Sequence, residues 1–282
     1  MDEWSDYITK AFQGFYPSYN PGEAEEAVET FASRWGGLDL ETFRRVLETG
    51  QGRDKAIAIF ALGYSGKPEV RFLLLPLLHS LHRLDRWASA FCLGQMQDES
   101  AFLVLQEMLI EGLFDQEITD DVSMDEHNTW YESRRTLVAS LLGGWNNPTI
   151  VPALRQALQA TWQREQQVTS PRYPWTAYRQ SWHYYQDSLA LTLGRLGAFG
   201  ALTTLNLPLP RLRIAMIYLV LGHLRTVPGK HYRNTIDEIM VSKALKEDVI
   251  LILEQRFGYS PAEGAALIEQ FIDNHFARTK EE

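Results

Sequence analysis

The chain has 282 residues, 45% hydrophobic and 22% charged, an ordinary globular composition that excludes disorder. Its net charge of −9 repels phosphate backbones wherever no local basic patch overrides it, so nucleic acid is a disfavoured partner. A single cysteine, Cys92, excludes an intramolecular disulfide framework and a paired-thiol site for metal or redox work.

The opening stretch MDEWSDYITK places acids where a secretory leader needs basic residues, and no apolar run approaches the ~18 residues of a membrane span. The expectation is a soluble, cytoplasmic protein that makes no use of membrane. NPGEAEEAVETFASRW reads next as a helix, with Asn20, Pro21 and Glu23 in capping-box order. Residues 1–51 are expected to form an N-terminal helical cap.

From residue 52 the chain repeats itself. DKAIAIFALG, ending at Gly63, returns as DRWASAFCLG at Gly94, RRTLVASLLG at Gly143, YQDSLALTLG at Gly194 and RIAMIYLVLG at Gly222. Each reads as a helix that ends on Leu-Gly. Leu62, Leu93, Leu142, Leu193 and Leu221 share one stripe with Ala58, Ser89, Val138, Leu189 and Ile217 four residues earlier, and that stripe should face the core. Ile59, Ala90, Ala139, Ala190 and Tyr218 form a mostly small column that lets neighbouring helices come close. Cys92 lies on the apolar side and reads as buried and inert.

A second amphipathic helix precedes most of these: PEVRFLLLPLLHSL from Pro68, ESAFLVLQEMLIEG from Glu99 and PTIVPALRQALQATW from Pro148. Asp98 and Asn147 are placed to cap the second and third, with Pro148 at a first helical position. Each unit is thus a helical hairpin. The fifth departs from the pattern, because AFGALTTLNLPLP leaves only a short first helix cut by Pro208 and Pro210.

Paired helices of this kind resemble HEAT repeats, in particular the short repeats of phycobilisome bilin-lyase subunits and of bacterial HEAT-repeat scaffolds. The resemblance covers about residues 52 to 226 and implies an all-α fold, an α-α superhelix of helical hairpins whose Leu-Gly helices line the concave face. It is specific for the fold and not for an activity. It also implies a basic residue near the start of each inner helix, a column held here by Lys55, Arg86 and Arg135 before Gln186 and Ile214. Two roles are open to that column: a ladder for an acidic ligand, or bridges between repeats through carboxylates and helix-end carbonyls.

Successive Leu-Gly glycines are 31, 49, 51 and 28 residues apart, which points to inserted loops near 113–130 and 163–181, both between an outer and an inner helix. Loops of repeat proteins commonly serve a binding face. The stretch from Glu111 to Glu132 holds eight carboxylates and no Lys or Arg. Gln163 to Tyr185 instead holds Arg164, Arg172 and Arg179 against Glu165, among many rings. Trp, Tyr and Arg dominate binding hot spots because they give large contact area with a polar handle. The candidate binding residues are Tyr173, Trp175, Tyr178, Trp182, Tyr185, Arg172 and Arg179, with Trp87 and Asp187 on the concave side. The competing reading is that these rings fold over the repeat edge while the arginines pair with the acidic loop.

Residues 234 to 257 read as a further helix or a bent pair, and SPAEGAALIEQFIDNHF repeats the capping device with Ser260, Pro261 and Glu263. Residues 227–282 are the expected C-terminal cap. His79 and His82 stand three apart without a further ligand, and His183 and Asp187 four apart without a positioned Ser or Cys nucleophile. No metal or cofactor is called for. The expected function is a non-enzymatic scaffold for a protein or peptide. Family analogy adds two alternatives: a bilin lyase or chaperone holding a small tetrapyrrole chromophore, and a HEAT-like DNA glycosylase using Trp87, Trp145, Trp182 and Asp187.

Overall fold

Leu62, Leu93, Leu142, Leu193 and Leu221 have no exposed surface, and neither do Ala58, Ser89, Val138, Leu189 and Ile217. The repeated stripe is therefore the core, each leucine contributing about 1.5–3 kcal/mol by leaving water. The structure is a computed structural model that describes residues 3–15, 21–110, 135–167, 175–228 and 235–280, with the side chains of 13–15, 21–24, 53, 164–167, 175–182, 235–237 and 275–280 outside the description. The Asn20 cap, the acidic stretch 111–132, Arg172 and Tyr173 also lie outside the described residues. The described residues form fourteen α-helices and no strand.

The chain divides into two compact units, residues 1–130 and 131–282. The first holds α1 (Glu3–Phe15), α2 (Pro21–Trp35), α3 (Leu40–Thr49), α4 (Gly52–Ser65), α5 (Val70–Leu74), α6 (Arg83–Gln95) and α7 (Phe102–Ile110). The inner helices α4 and α6 pack on each other, and α1 covers the far side of α4. Enclosed in this way, they are apolar around most of their circumference: Ala56 to Leu62 and Trp87 to Leu93 are all buried. The N-terminal helices add their own aromatic core, with Trp4 and Phe31 against Phe43 at ring distances of 4.7 and 5.8 Å.

The second unit holds α8 (135–144), α9 (Val151–Gln167), α10 (Trp175–Arg195), α11 (Leu209–Leu224), α12 (Thr235–Val241), α13 (Lys243–Phe257) and α14 (Pro261–Lys280). The first helix of the fifth repeat shrinks to a 3-10 turn, Phe199–Ala201, and Pro208 and Pro210 stand not within it but at the start of α11. Residues 235–257 are a helix pair broken at Ser242, whose hydroxyl caps α13 through the Leu245 N–H at 3.2 Å. The capping box at α14 forms as its spacing predicts. The Ser260 N–H donates to Glu263 Oε2 at 2.8 Å, and the Glu263 N–H donates to Ser260 Oγ at 3.4 Å.

Two sequence expectations need correction. The helices do not end on Leu-Gly: α4 and α11 run two residues past their glycines, and α8 and α10 one residue. A Cβ added to Gly194 would lie 1.9 Å from the Leu219 carbonyl oxygen, and one on Gly222 would lie 2.0 Å from that of Leu191. The glycine is selected by close approach of the next inner helix, through backbone at Gly194 and Gly222 and through the Cys92 and Thr192 side chains at Gly63 and Gly143, not as a left-handed cap. That cap sits three residues later, where Gly66, Gln97, Asn146 and Gly197 take positive φ. It closes a Schellman motif in which the Asp98 and Ala198 N–H groups donate to the carbonyls of Leu93 and Leu193, both at 2.9 Å.

The second correction concerns the stretch 163–181, which is largely helix and not a loop. Helix α9 extends to Gln167 and α10 begins at Trp175, so α10 is 21 residues long. The excess length of this repeat went mostly into longer helices.

Candidate functional site

In the first unit, the column expected to be basic is built into the fold. Lys55 Nζ lies 3.0 Å from Asp85 Oδ2 on the next inner helix, and Ser80 Oγ donates to the same oxygen at 3.3 Å. Arg86 donates from Nε to Glu107 Oε2 on α7 at 3.2 Å, pairs through Nη2 with the other carboxylate oxygen, and donates from Nη1 to the Ser80 carbonyl at 2.9 Å. One turn of the ladder earlier, Arg34 and the Trp35 indole donate to Asp54 at 2.7 and 2.9 Å. In the second unit, Arg135 is buried with its guanidinium 4.4 Å from the Tyr185 ring centre. Of the two roles open to the column, Lys55 and Arg86 take the bridging one, through carboxylates and a backbone carbonyl, and Arg135 packs its guanidinium on the Tyr185 ring.

The electrostatics follow. Burial pushes the Glu107 carboxyl upward, but the hydrogen bonds and charge of Arg86, with the Trp87 indole, outweigh it and hold the group below its ordinary value. Asp98 behaves alike: burial acts upward, and Arg71 together with the Ser100 N–H it caps carries it below normal. The Arg71 pair and the Ser100 cap hold the Schellman turn at the end of α6 to the start of the next outer helix.

Of the candidate binding residues, Tyr185 has no exposed surface, Trp87 is 2% exposed and Asp187 8% exposed. They are core positions, and a buried ring or carboxylate offers nothing to a docking partner. Trp87 is held by its indole N–H on Glu107 Oε1 at 3.4 Å and by Arg83 above the ring. Trp175, Tyr178, Arg179 and Trp182 belong to the first turns of α10, and their side chains lie outside the description. Trp175, Tyr178 and Trp182 continue, by steps of three and four, the stripe of Tyr185, Leu189 and Thr192, all at most 1% exposed. That lower half is seated on α8, where Ser188 Oγ donates to the Thr136 carbonyl at 3.1 Å and Thr192 Oγ1 to that of Ala139 at 2.9 Å.

The other side of α10 meets α9 and α11 at an edge that the sequence reading passed over. Gln159 accepts from the Asn206 N–H at 3.0 Å and Arg155 donates to Thr204 Oγ1 at 3.2 Å, which ties the segment before α11 to α9. Arg211 then reaches His183 Nε2 on α10, with its guanidinium 5.8 Å from the Trp162 ring centre on α9. That contact is attractive with the imidazole neutral and its Nε2 lone pair facing the guanidinium. Tyr184 beside it is 54% exposed and Leu209 55%. Among the described residues, no three His, Cys, Asp or Glu side chains assemble as metal ligands, and no helix is long and apolar enough to cross a membrane.

Hairpins stacked through a leucine seam, with glycines at the crossings and an inter-repeat ion-pair ladder, define an all-α helical repeat protein. Residues 85–111, spanning α6 and α7, match the family model of the PBS lyase HEAT-like repeat. The chain is an all-α helical repeat protein that resembles HEAT-like repeat proteins, and the repeat at 85–111 resembles those of phycobilisome lyases. Among curated proteins and among solved structures, no match is found.

Proposed function

We propose that the protein is a non-enzymatic, cytoplasmic scaffold that docks a protein or peptide at the aromatic, arginine-bearing start of α10. The repeat array of residues 52–226, capped by 1–51 and 227–282, serves to hold that edge in place. The observation that carries the reading is the continuity of the α10 stripe. Its lower half, Tyr185, Leu189 and Thr192, is buried in the second unit, and its upper half, Trp175, Tyr178 and Trp182, repeats the same sequence spacing with larger rings. A stripe built for burial attracts a partner of matching apolar character. Arg172, Tyr173 and Arg179 frame it with hot-spot residue types.

The test compares wild type with a Trp175→Ala/Trp182→Ala double variant by affinity capture, together with a thermal melt. Loss of a partner retained by wild type, with an unchanged melt, supports docking. A collapsed melt with the same partner retained means that the rings serve the fold.

The repeat match favours one second reading, a chaperone for an open-chain tetrapyrrole, which predicts a shifted bilin absorbance on mixing; an unshifted spectrum removes it. A glycosylase built on Trp87, Trp145, Trp182 and Asp187 is not favoured, because a stacking ring and a general base have to reach the substrate and Trp87 and Asp187 are buried.

A further inference from the structure

Phe199 is the hub of a corner in the second unit where three elements meet. The His223 ring on α11 meets it edge-on at 4.9 Å, the Phe257 ring on α13 meets it at 6.0 Å, and the Arg256 guanidinium lies 5.1 Å from its centre. Phe199 itself belongs to the 3-10 turn that stands for the fifth repeat's first helix. Arg256 and Phe257 are the last two residues of α13, and Gly258 then turns the chain toward α14 with φ +74°. One phenyl ring therefore ties the end of α13 to the array.

The chain beyond the turn has separate anchors on α11. The Tyr259 hydroxyl reaches Met216 Sδ at 4.0 Å, the Tyr218 and Phe271 rings meet at 5.1 Å, and Arg213 Nη1 donates to Gln270 Oε1 at 3.3 Å. The corner can thus open without unseating α14. The charged groups around it are mostly cations: Arg195 at the end of α10, Arg225 after α11 and Arg256 on α13, with Glu238 on α12. Arg195 and Glu238 act on Arg225, whereas Arg256 is the one charged group among the described residues that acts on His223. A neutral imidazole suits a ring that already carries a guanidinium. An imidazolium brings a second cation to the same ring in a partly buried setting, where repulsion is screened less than in water. Histidine is also the side chain whose charge changes under mild acidification.

We propose that this corner is an acid-operated hinge: protonation of the His223 imidazole frees the last turn of α13 from Phe199, while Tyr259 and α14 stay on α11. The device is independent of docking at α10. Burial and Arg256 hold the imidazole of the closed corner below its ordinary 6.5, so the open corner gains as the pH falls below that value. Opening bares more of Phe199 and Phe257 at the end of the array, where a terminal cap keeps apolar surface from solvent.

Amide hydrogen exchange of the full chain at about pH 7.5 and about pH 5.5 tests the idea, expressed as protection factors so that the intrinsic pH dependence of exchange cancels. Protection in residues 253–258 should fall about tenfold on acidification, with residues 189–194 and 217–222 at the α10–α11 crossing unchanged. His223→Gln should keep its neutral-pH protection at both pH values. Arg256→Gln, at an exposed position, should keep the fold and shrink the acid loss, and it decides the matter if His223→Gln does not fold. Equal loss at the crossing, an undiminished loss in either variant, or no loss in the wild type would each overturn the proposal.

Discussion

Gly194 and Gly222 sit on each other's helices: a methyl group at either one would press within 2.0 Å of a carbonyl oxygen across the α10–α11 crossing. The obstacle on each side is backbone, of Leu219 and Leu191, so no rotamer change relieves it. Gly63 also meets the next inner helix, but there the nearest atoms are the Sγ and Cβ of the Cys92 side chain. The repeat spacing of the sequence is thus a spacing of helix crossings.

Replacing Gly194 or Gly222 with Ala should destabilise the second unit by about 3 kcal/mol or more, although Gly→Ala inside a helix ordinarily stabilises by up to ~1 kcal/mol. Gly144, one residue past the column, has nothing within 4 Å of an added Cβ. Gly144→Ala should be neutral or slightly stabilising. Urea unfolding of the three variants measures the contrast.

The Arg86–Glu107 pair should show a coupling of about 1 kcal/mol in a double-mutant cycle with Arg86→Met and Glu107→Gln, since both side chains are partly buried. Because the folded Glu107 carboxyl lies below its ordinary 4.5, its contribution is complete above that pH and is lost as the pH falls through the folded value. Glu107→Gln should flatten the acid limb of the stability curve.

His223 gives a second pH dependence in a different window. Burial, then the charge of Arg256, lowers its pKa from 6.5, and its ring meets Phe199 edge-on at 4.9 Å. The unfolded chain therefore takes up the proton first as the pH drops. Stability should decline from about 6.5 downward and level off below the folded value. His223→Gln should remove that decline in melts recorded between neutral and mildly acidic pH.

Ser89 occupies a column otherwise filled by Ala58, Val138, Leu189 and Ile217, and its fully buried hydroxyl has no hydrogen-bond partner among the described residues. Ser89→Ala should leave stability unchanged or raise it by up to ~1 kcal/mol, read from the denaturation midpoint.

The seam was legible because a spacing of four fixes a helical face, and Leu62 to Leu221 occupy the same register of every repeat. The caps at Asp98, Asn147 and Ser260 were legible because capping needs an oxygen at one position. The role of the repeated glycine was not, since a left-handed cap and a backbone crossing both select glycine. The cap column three residues later was masked because Gln97 and Asn146 fill half of it.

The site was less legible for a related reason. Trp87 and Asp187 share the position seven before the glycine with Ala56 and Ala215, and all four are buried. Treating the column, not the residue type, as the predictor would have removed them. The stretch 163–181 read as a loop because of its excess length and its prolines, whereas the steps from Trp175 to Trp182 already carry a helical period. The Arg211–His183 contact joins residues 28 apart on different helices, a pairing that no local pattern encodes.

The most direct test of docking at the start of α10 is amide hydrogen exchange on the full chain with and without its captured partner. Protection should appear in residues 175–184 and at the beginning of α11, with the outer helices α5 and α7 unchanged. Protection confined to α5 and α7, with 175–184 exchanging as in the free protein, would contradict it.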